Sequence, residues 1–219
     1  MLWRITLFVW IAAAMTFGLL KAPLVPILEE TTRVLYFHIP SAWVTVVALG
    51  WSMVHSALYL WKRDLRNDDH AAAAAELGLL FCIAATVSGA LWAKAMWGAY
   101  WNWDPRETSI FFILLLYSAY LALRGSIEGE EKRARLSAIY SVVAFVAVPF
   151  LVFVVPRMNE TLHPNLIVTE GGRPKFDMDP IIRWCFLGML AGFTVLFFWM
   201  QTLRVRVTRL ERRLQLARG

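Results

Sequence analysis

Residues 181–203 read IIRWCFLGMLAGFTVLFFWMQTL, twenty-three positions with a single charge, at Arg183. About 20 apolar residues in helical form cross the ~30 Å hydrocarbon core of a bilayer. Lipid offers the backbone no hydrogen-bond partner, so such a run must be an α-helix. Working back from it, five more runs of the same kind lie at roughly 3–20, 41–61, 71–93, 108–123 and 136–155, the fourth being the shortest. They leave no length for a soluble domain, and residues 1–219 read as a single six-span, all-α integral membrane domain. Composition agrees: 59% of residues are hydrophobic and only 17% charged, with mean hydropathy +0.55, which excludes a water-soluble globular domain.

Punctuation supports these boundaries. Asp104-Pro105-x-Glu107 places an N-capping Asp, a Pro at the first helical position and a Glu two residues later at the start of the fourth span. Asp179-Pro180 opens the sixth in the same way, and Pro149 predicts a kink or a widened cavity near the end of the fifth. Arg4 followed by an apolar stretch through Ala12-Ala13-Ala14 has the outline of a secretory signal, but an uncleaved first span is the expectation.

Lys and Arg set the orientation. Arg4, three in loop 62–70, four in loop 124–135 and six after residue 203 put 14 on the side of the termini, against seven in loops 21–40, 94–107 and 156–180. The positive-inside rule predicts cytoplasmic termini and three outer loops. The same asymmetry accounts for most of the net charge of +6, so the basic balance points to anionic lipid, not nucleic acid. The two cysteines, Cys82 and Cys185, lie inside apolar runs with no C-x-x-C or C-x-x-C-H pattern, which excludes a thiol oxidoreductase and a c-type cytochrome. No G-x-x-x-x-G-K-[ST] phosphate loop occurs, so nucleotide hydrolysis would belong to another chain. The tail 204–219 reads as a basic cytoplasmic helix with Leu203, Val207, Leu210 and Leu214 on one stripe. It suits either anionic headgroups or a partner groove.

Three features gather on the outer side. Loop 94–107 contains Trp97-Gly98-Ala99-Tyr100-Trp101-Asn102-Trp103-Asp104. Read as an interfacial helix, it sets Trp97, Tyr100 and Trp101 within a ~100° arc with Trp103 beside them, an aromatic shelf for a flat, apolar, conjugated ligand. His38, before the second span, and His163, beyond the fifth, are the other two. Structural zinc normally takes four protein ligands, whereas a tetrapyrrole iron asks for only one or two axial ones, which two imidazoles can supply. Arg33, Arg106, Arg157 and Arg173 lie on the side where propionates would be met. His55 is too deep in the second span for this site, and His70 reads as a solvated residue of the opposite loop.

The signature Trp97-Gly98-x-x-Trp101-x-Trp103-Asp104-x-Arg106-x-Thr108 resembles that of the tryptophan-rich (WWD-motif) haem-handling superfamily. Within it, the short six-span chain, Phe37-His38-Ile39-Pro40-Ser41-Ala42-Trp43 and Asn159-x-Thr161-Leu162-His163 are similar to the haem exporter protein C family of the cytochrome c maturation system. The resemblance covers essentially the whole chain. It implies haem b as cofactor, His38 and His163 as axial iron ligands, and a haem platform in segment 94–107 carried by Trp97, Tyr100, Trp101, Trp103, Asp104 and Arg106. It also implies a multi-pass protein of the bacterial inner membrane that presents haem for covalent attachment to a periplasmic haem chaperone. The remaining implied partners are the two kinds of ATP-binding cassette (ABC) transporter subunit of the same system, A and B, and a small single-span membrane protein associated with them. At Arg157 and Met158, where the resemblance implies aromatic residues, the chain departs from it.

Two other function classes compete. A haem-transporting permease subunit of an ABC transporter would show ionisable groups within the spans or an inverted repeat; apart from His55 and Arg183 the spans hold few such groups, and no inverted repeat is evident. An electron-transfer cytochrome b would carry its histidines on helices inside the bilayer and be reduced steadily by quinol.

Overall fold

The computed structural model describes residues 2–24, 28–163, 167–170, 173–176 and 179–217. Among these residues, six helices are long and apolar enough to cross a membrane. We label them α1 (Leu2–Leu20), α2 (Leu35–Lys62, preceded by a 3₁₀ turn at Glu30–Val34), α3 (Leu65–Trp97), α4 (Pro105–Ser126), α5 (Glu130–Met158) and α6 (Pro180–Leu216). Strands β1 (Ile167–Glu170) and β2 (Arg173–Phe176) form a small antiparallel hairpin before α6, with Ile167 opposite Phe176 and Glu170 opposite Arg173.

Every helix runs past its apolar run because capping and ion pairs, not hydropathy, set the ends. Asp64, Asp104 and Asp179 each accept a backbone N–H at the start of α3, α4 and α6. α4 carries a complete capping box with Glu107, as its sequence predicts. Directly after Pro149, α5 loosens into a π-helical turn at Phe150–Val154, the local irregularity expected where a ring replaces an amide hydrogen.

α3 is the central element, with 61% of its most apolar window buried against 11% for α1. Its run Ala71–Ala75 is buried throughout and lets the backbone of α2 come close, the way small residues work between membrane helices. One apolar core joins α2, α3 and α6 through Tyr36, Val44, Phe81, Met189 and Phe193. A second joins α2 to α5 through Leu49, Cys82, Ile113, Tyr117 and Val148.

Charged residues tie the bundle together at the end that bears both termini. Arg124 clamps the buried Asp68 with two hydrogen bonds of 2.7 and 2.6 Å. Asp69, 1% exposed at its side chain, accepts from Arg209 and Arg212 at 3.1 and 2.6 Å. Arg204 pairs with Glu76, and Arg212 also with Glu130. Much of the basic face of the tail is therefore turned onto its own bundle, and Leu203, Val207, Leu210 and Leu214 face away. His70 corrects the sequence reading: α3 starts at Leu65, so His70 is helical, stacks on His55 at 4.8 Å and meets Gln201 at 2.8 Å.

Candidate functional site

At the other end of the bundle, the last turns of α3 carry the site. Positions 85, 88, 89 and 92 lie on one face of that helix, spaced three or four apart. His38 packs on it. Its Nδ1 stands 3.0 Å from the carbonyl oxygen of Ala85 and 3.1 Å from Oγ of Ser88. Gly89 makes the room, since a Cβ there would sit 2.8 Å from Cε1 of the ring. The expectation that His38 lies in a loop is corrected: α2 begins at Leu35, so His38 is in its first turn, and Pro40 is accommodated inside the helix.

His163 follows α5 and lies against the same face one turn further on. Trp92 and Trp97 flank its ring at centroid distances of 5.5 and 4.9 Å and meet each other edge-on at 4.8 Å. Its Nδ1 is 2.9 Å from Oδ1 of Asp104.

Asp104 organises this corner. Oδ1 accepts the Arg106 N–H at 2.9 Å, which caps α4, and also faces the His163 ring. Oδ2 accepts the Thr161 hydroxyl at 2.8 Å and the Leu162 N–H at 2.7 Å. One carboxylate, 4% exposed, thus both starts α4 and clamps the segment that presents His163. Burial raises the pKa of Asp104, but the Arg106 and Leu162 amides, the Thr161 hydroxyl and nearby His163 outweigh it and hold the carboxyl below its usual range. Burial pulls His163 down to about 4, aided by the charges of Arg106 and His38 and opposed by Asp104. The ring is therefore neutral at pH 7, its contact with Asp104 is a hydrogen bond donated by Nδ1–H, and Nε2 is the atom able to coordinate. Arg106 lies within electrostatic reach of both imidazoles.

The tryptophan-rich segment departs from the expected single helical shelf. α3 stops at Trp97 because Gly98 adopts the left-handed conformation, φ 79°, and residues 98–104 follow no regular structure. The aromatic side chains fall into two groups. Trp97 joins Trp92 at His163, whereas Trp101 and Trp103 pack edge-on at 5.7 Å and share Phe111. Trp103 has a positive φ of 56° and is 64% exposed. Tyr100 belongs to neither group and lies 5.6 Å from Nζ of Lys94. Among the arginines, Arg33 is engaged with Glu30 and with the carbonyl groups of Gly18 and Leu19 at the end of α1, so it serves that helix end. Arg157 bonds the Phe153 carbonyl and contributes to the electrostatics of Arg106. The side chain of Arg173 lies outside the described residues.

Trp92, Gly89, Ser88 and Phe111 line this corner and belong to none of the motifs that the sequence offers. The run of small residues at 84–85 and 88–90, where an apolar span needs none, was the available signal.

Six helices able to cross a membrane, with two anchored imidazoles beside a pair of indoles at the end opposite the termini, define a multi-pass membrane protein with a paired-histidine site. Over residues 1–218 the chain matches the family described as heme exporter protein C. It is 31% identical over 214 residues to Heme exporter protein C of Bradyrhizobium diazoefficiens, covering 94% of this chain and 80% of that one. The protein of that name from Rhodobacter capsulatus is 29% identical over 218 residues, covering 94% and 88%. The one from Escherichia coli is 29% identical over 175 residues, covering 80% and 69%. The chain belongs to the heme exporter protein C family.

Proposed function

We propose that the protein binds haem b between His38 and His163 at the periplasmic surface of the bacterial inner membrane and presents it to a periplasmic haem chaperone during cytochrome c maturation. One observation carries this reading: both imidazoles are anchored through Nδ1, His38 on Ala85 and Ser88 of α3 and His163 on Asp104 at the start of α4, which leaves Nε2 of each as the coordinating atom. Among the described residues no three His, Cys, Asp or Glu side chains group as a metal site, so two imidazoles suit an iron whose other ligands come with the cofactor.

His38 and His163 would hold the iron, and Asp104 fixes the tautomer and direction of His163. Trp92 and Trp97 exclude water from that ligand, Arg106 meets propionate charge, and Trp101 and Trp103 extend the apolar platform. When bound, haem supplies the vinyl group that becomes attached to the chaperone. The positive-inside count supports cytoplasmic termini and a periplasmic site. The ABC transporter subunits A and B, the small single-span protein and the periplasmic haem chaperone are the partners that family membership supports.

The test is chaperone loading in cells, read as covalently haem-bearing chaperone on a haem-stained gel. His38→Ala and His163→Ala should each abolish it with the protein still in the membrane. Normal loading by either variant would overturn the reading.

A further inference from the structure

We propose that the groove between the start of α1 and the tail end of α6 binds the headgroup of an anionic glycerophospholipid. The groove measures about 330 Å³, and Trp3 and Arg4 of α1 face Val195, Phe198, Trp199 and Arg206 of α6 across it. The Trp3 and Trp199 rings meet edge-on at 5.8 Å, and the Arg4 guanidinium lies 5.8 and 5.6 Å from their centres. Among the described residues two cations line this groove and no carboxylate does. Its buried donors lack acceptors among the described residues: Nε of Arg4 and Nε1 of Trp199 are both buried without a hydrogen-bond partner there. Arg206 is exposed, whereas its neighbours Arg204, Arg209 and Arg212 are spent on Glu76, Asp69 and Glu130.

The level of the groove names the occupant. The apolar run of α6 ends at Leu203, and a band of Trp and Arg at that height marks the headgroup layer. A phosphodiester there accepts from Arg4, Arg206 and the Trp199 indole. One acyl chain then continues along Phe198 and Val195, the latter 46% exposed on the lipid side. A zwitterionic lipid brings its own cation next to two arginines, which disfavours it. Inorganic phosphate has nothing to place against the apolar half of the groove.

The experiment uses full-length protein, delipidated and offered phosphatidylglycerol, phosphatidylcholine or inorganic phosphate. Retained lipid is measured by mass spectrometry after washing, and the melting temperature is read in parallel. The wild type should retain phosphatidylglycerol selectively and be stabilised by it. Each arginine near an anionic headgroup is worth roughly fivefold in affinity, so Arg4→Gln/Arg206→Gln should lower retention about 25-fold. Lys132→Gln/Arg135→Gln, which removes the same charge at the same end of the bundle away from the groove, should leave it unchanged. If the double variant is poorly recovered, Arg206→Gln alone should lower retention about fivefold. Equal loss in the two double variants, no loss in Arg206→Gln, equal retention of phosphatidylcholine, or equal stabilisation by inorganic phosphate would each overturn the proposal.

Discussion

Asp104 shows how one side chain can hold a helix start and an imidazole together. Its two oxygens divide the work: Oδ1 caps α4 and faces His163, and Oδ2 holds Thr161 and Leu162. Asn caps helices about as well as Asp. In Asp104→Asn, however, an amide NH₂ replaces one acceptor, and the Leu162 N–H then faces a donor. We expect α4 and membrane insertion to survive while haem affinity falls about 10- to 100-fold, the usual cost of losing an outer partner of a ligating histidine. A haem titration that gives the parent affinity would reduce Asp104 to a helix cap. Gly89→Ala tests the proposed role of the other imidazole, His38, in the opposite sense of stability. Alanine favours helix by roughly 1 kcal/mol over glycine, but here its Cβ would stand 2.8 Å from the His38 ring. The variant should melt no lower than the parent yet lose the spectral signature of the second imidazole, and an unchanged spectrum would show that the ring position is not critical. The two histidines were legible in the sequence because their chemistry is uncommon in an apolar chain. The Asp104 clamp was not, since its partners lie 57 to 59 positions away and no periodicity links them.

Hydropathy located all six spanning helices but misplaced most of their ends, because the ends belong to caps and ion pairs. The tryptophan-rich segment is the instructive case. Its spacing suits a helical face, but Gly98 ends α3 and Asp104 starts α4 within six residues, so the chain between them turns. Two aromatic groups result, and they should fail differently. Trp97→Ala, which uncovers His163, should alter the ligand spectrum and chaperone loading together. Trp101→Ala and Trp103→Ala should lower loading with the ligand spectrum intact. Identical behaviour of all three would restore the single-shelf picture. The tail offers a second contrast. Ending the chain after Arg206 removes Arg209 and Arg212 from Asp69, a loss below the about 3–5 kcal/mol of a fully buried pair because both arginines are partly exposed and the carboxylate regains water. The truncated protein should melt below the full-length one, and Asp69→Asn in the truncated chain should recover part of the difference. Equal melting of truncated and full-length protein would show that these pairs add nothing.

At the scale of the whole molecule the bundle separates its polar groups by end. Ion pairs between α3, α4, α5 and α6 lock the end that carries the termini, and His38 and His163, with Trp92, Trp97, Trp101 and Trp103, occupy the other. That division was visible in the sequence as a bias of Lys and Arg towards alternate loops, and it follows from the need to keep charge out of lipid. The position of His38 on α2 brings the site closer to an electron-transfer cytochrome than loop placement did, so ligation and function need separate tests. Loading of the chaperone addresses function. Ligation is the central claim, and the absorbance spectrum of haem in the purified protein tests it most directly. We predict a six-coordinate, low-spin haem b in the parent, a changed spectrum in both His38→Ala and His163→Ala, and partial recovery when imidazole is added to fill the vacant axial position. Parent spectra in both single variants would contradict the account.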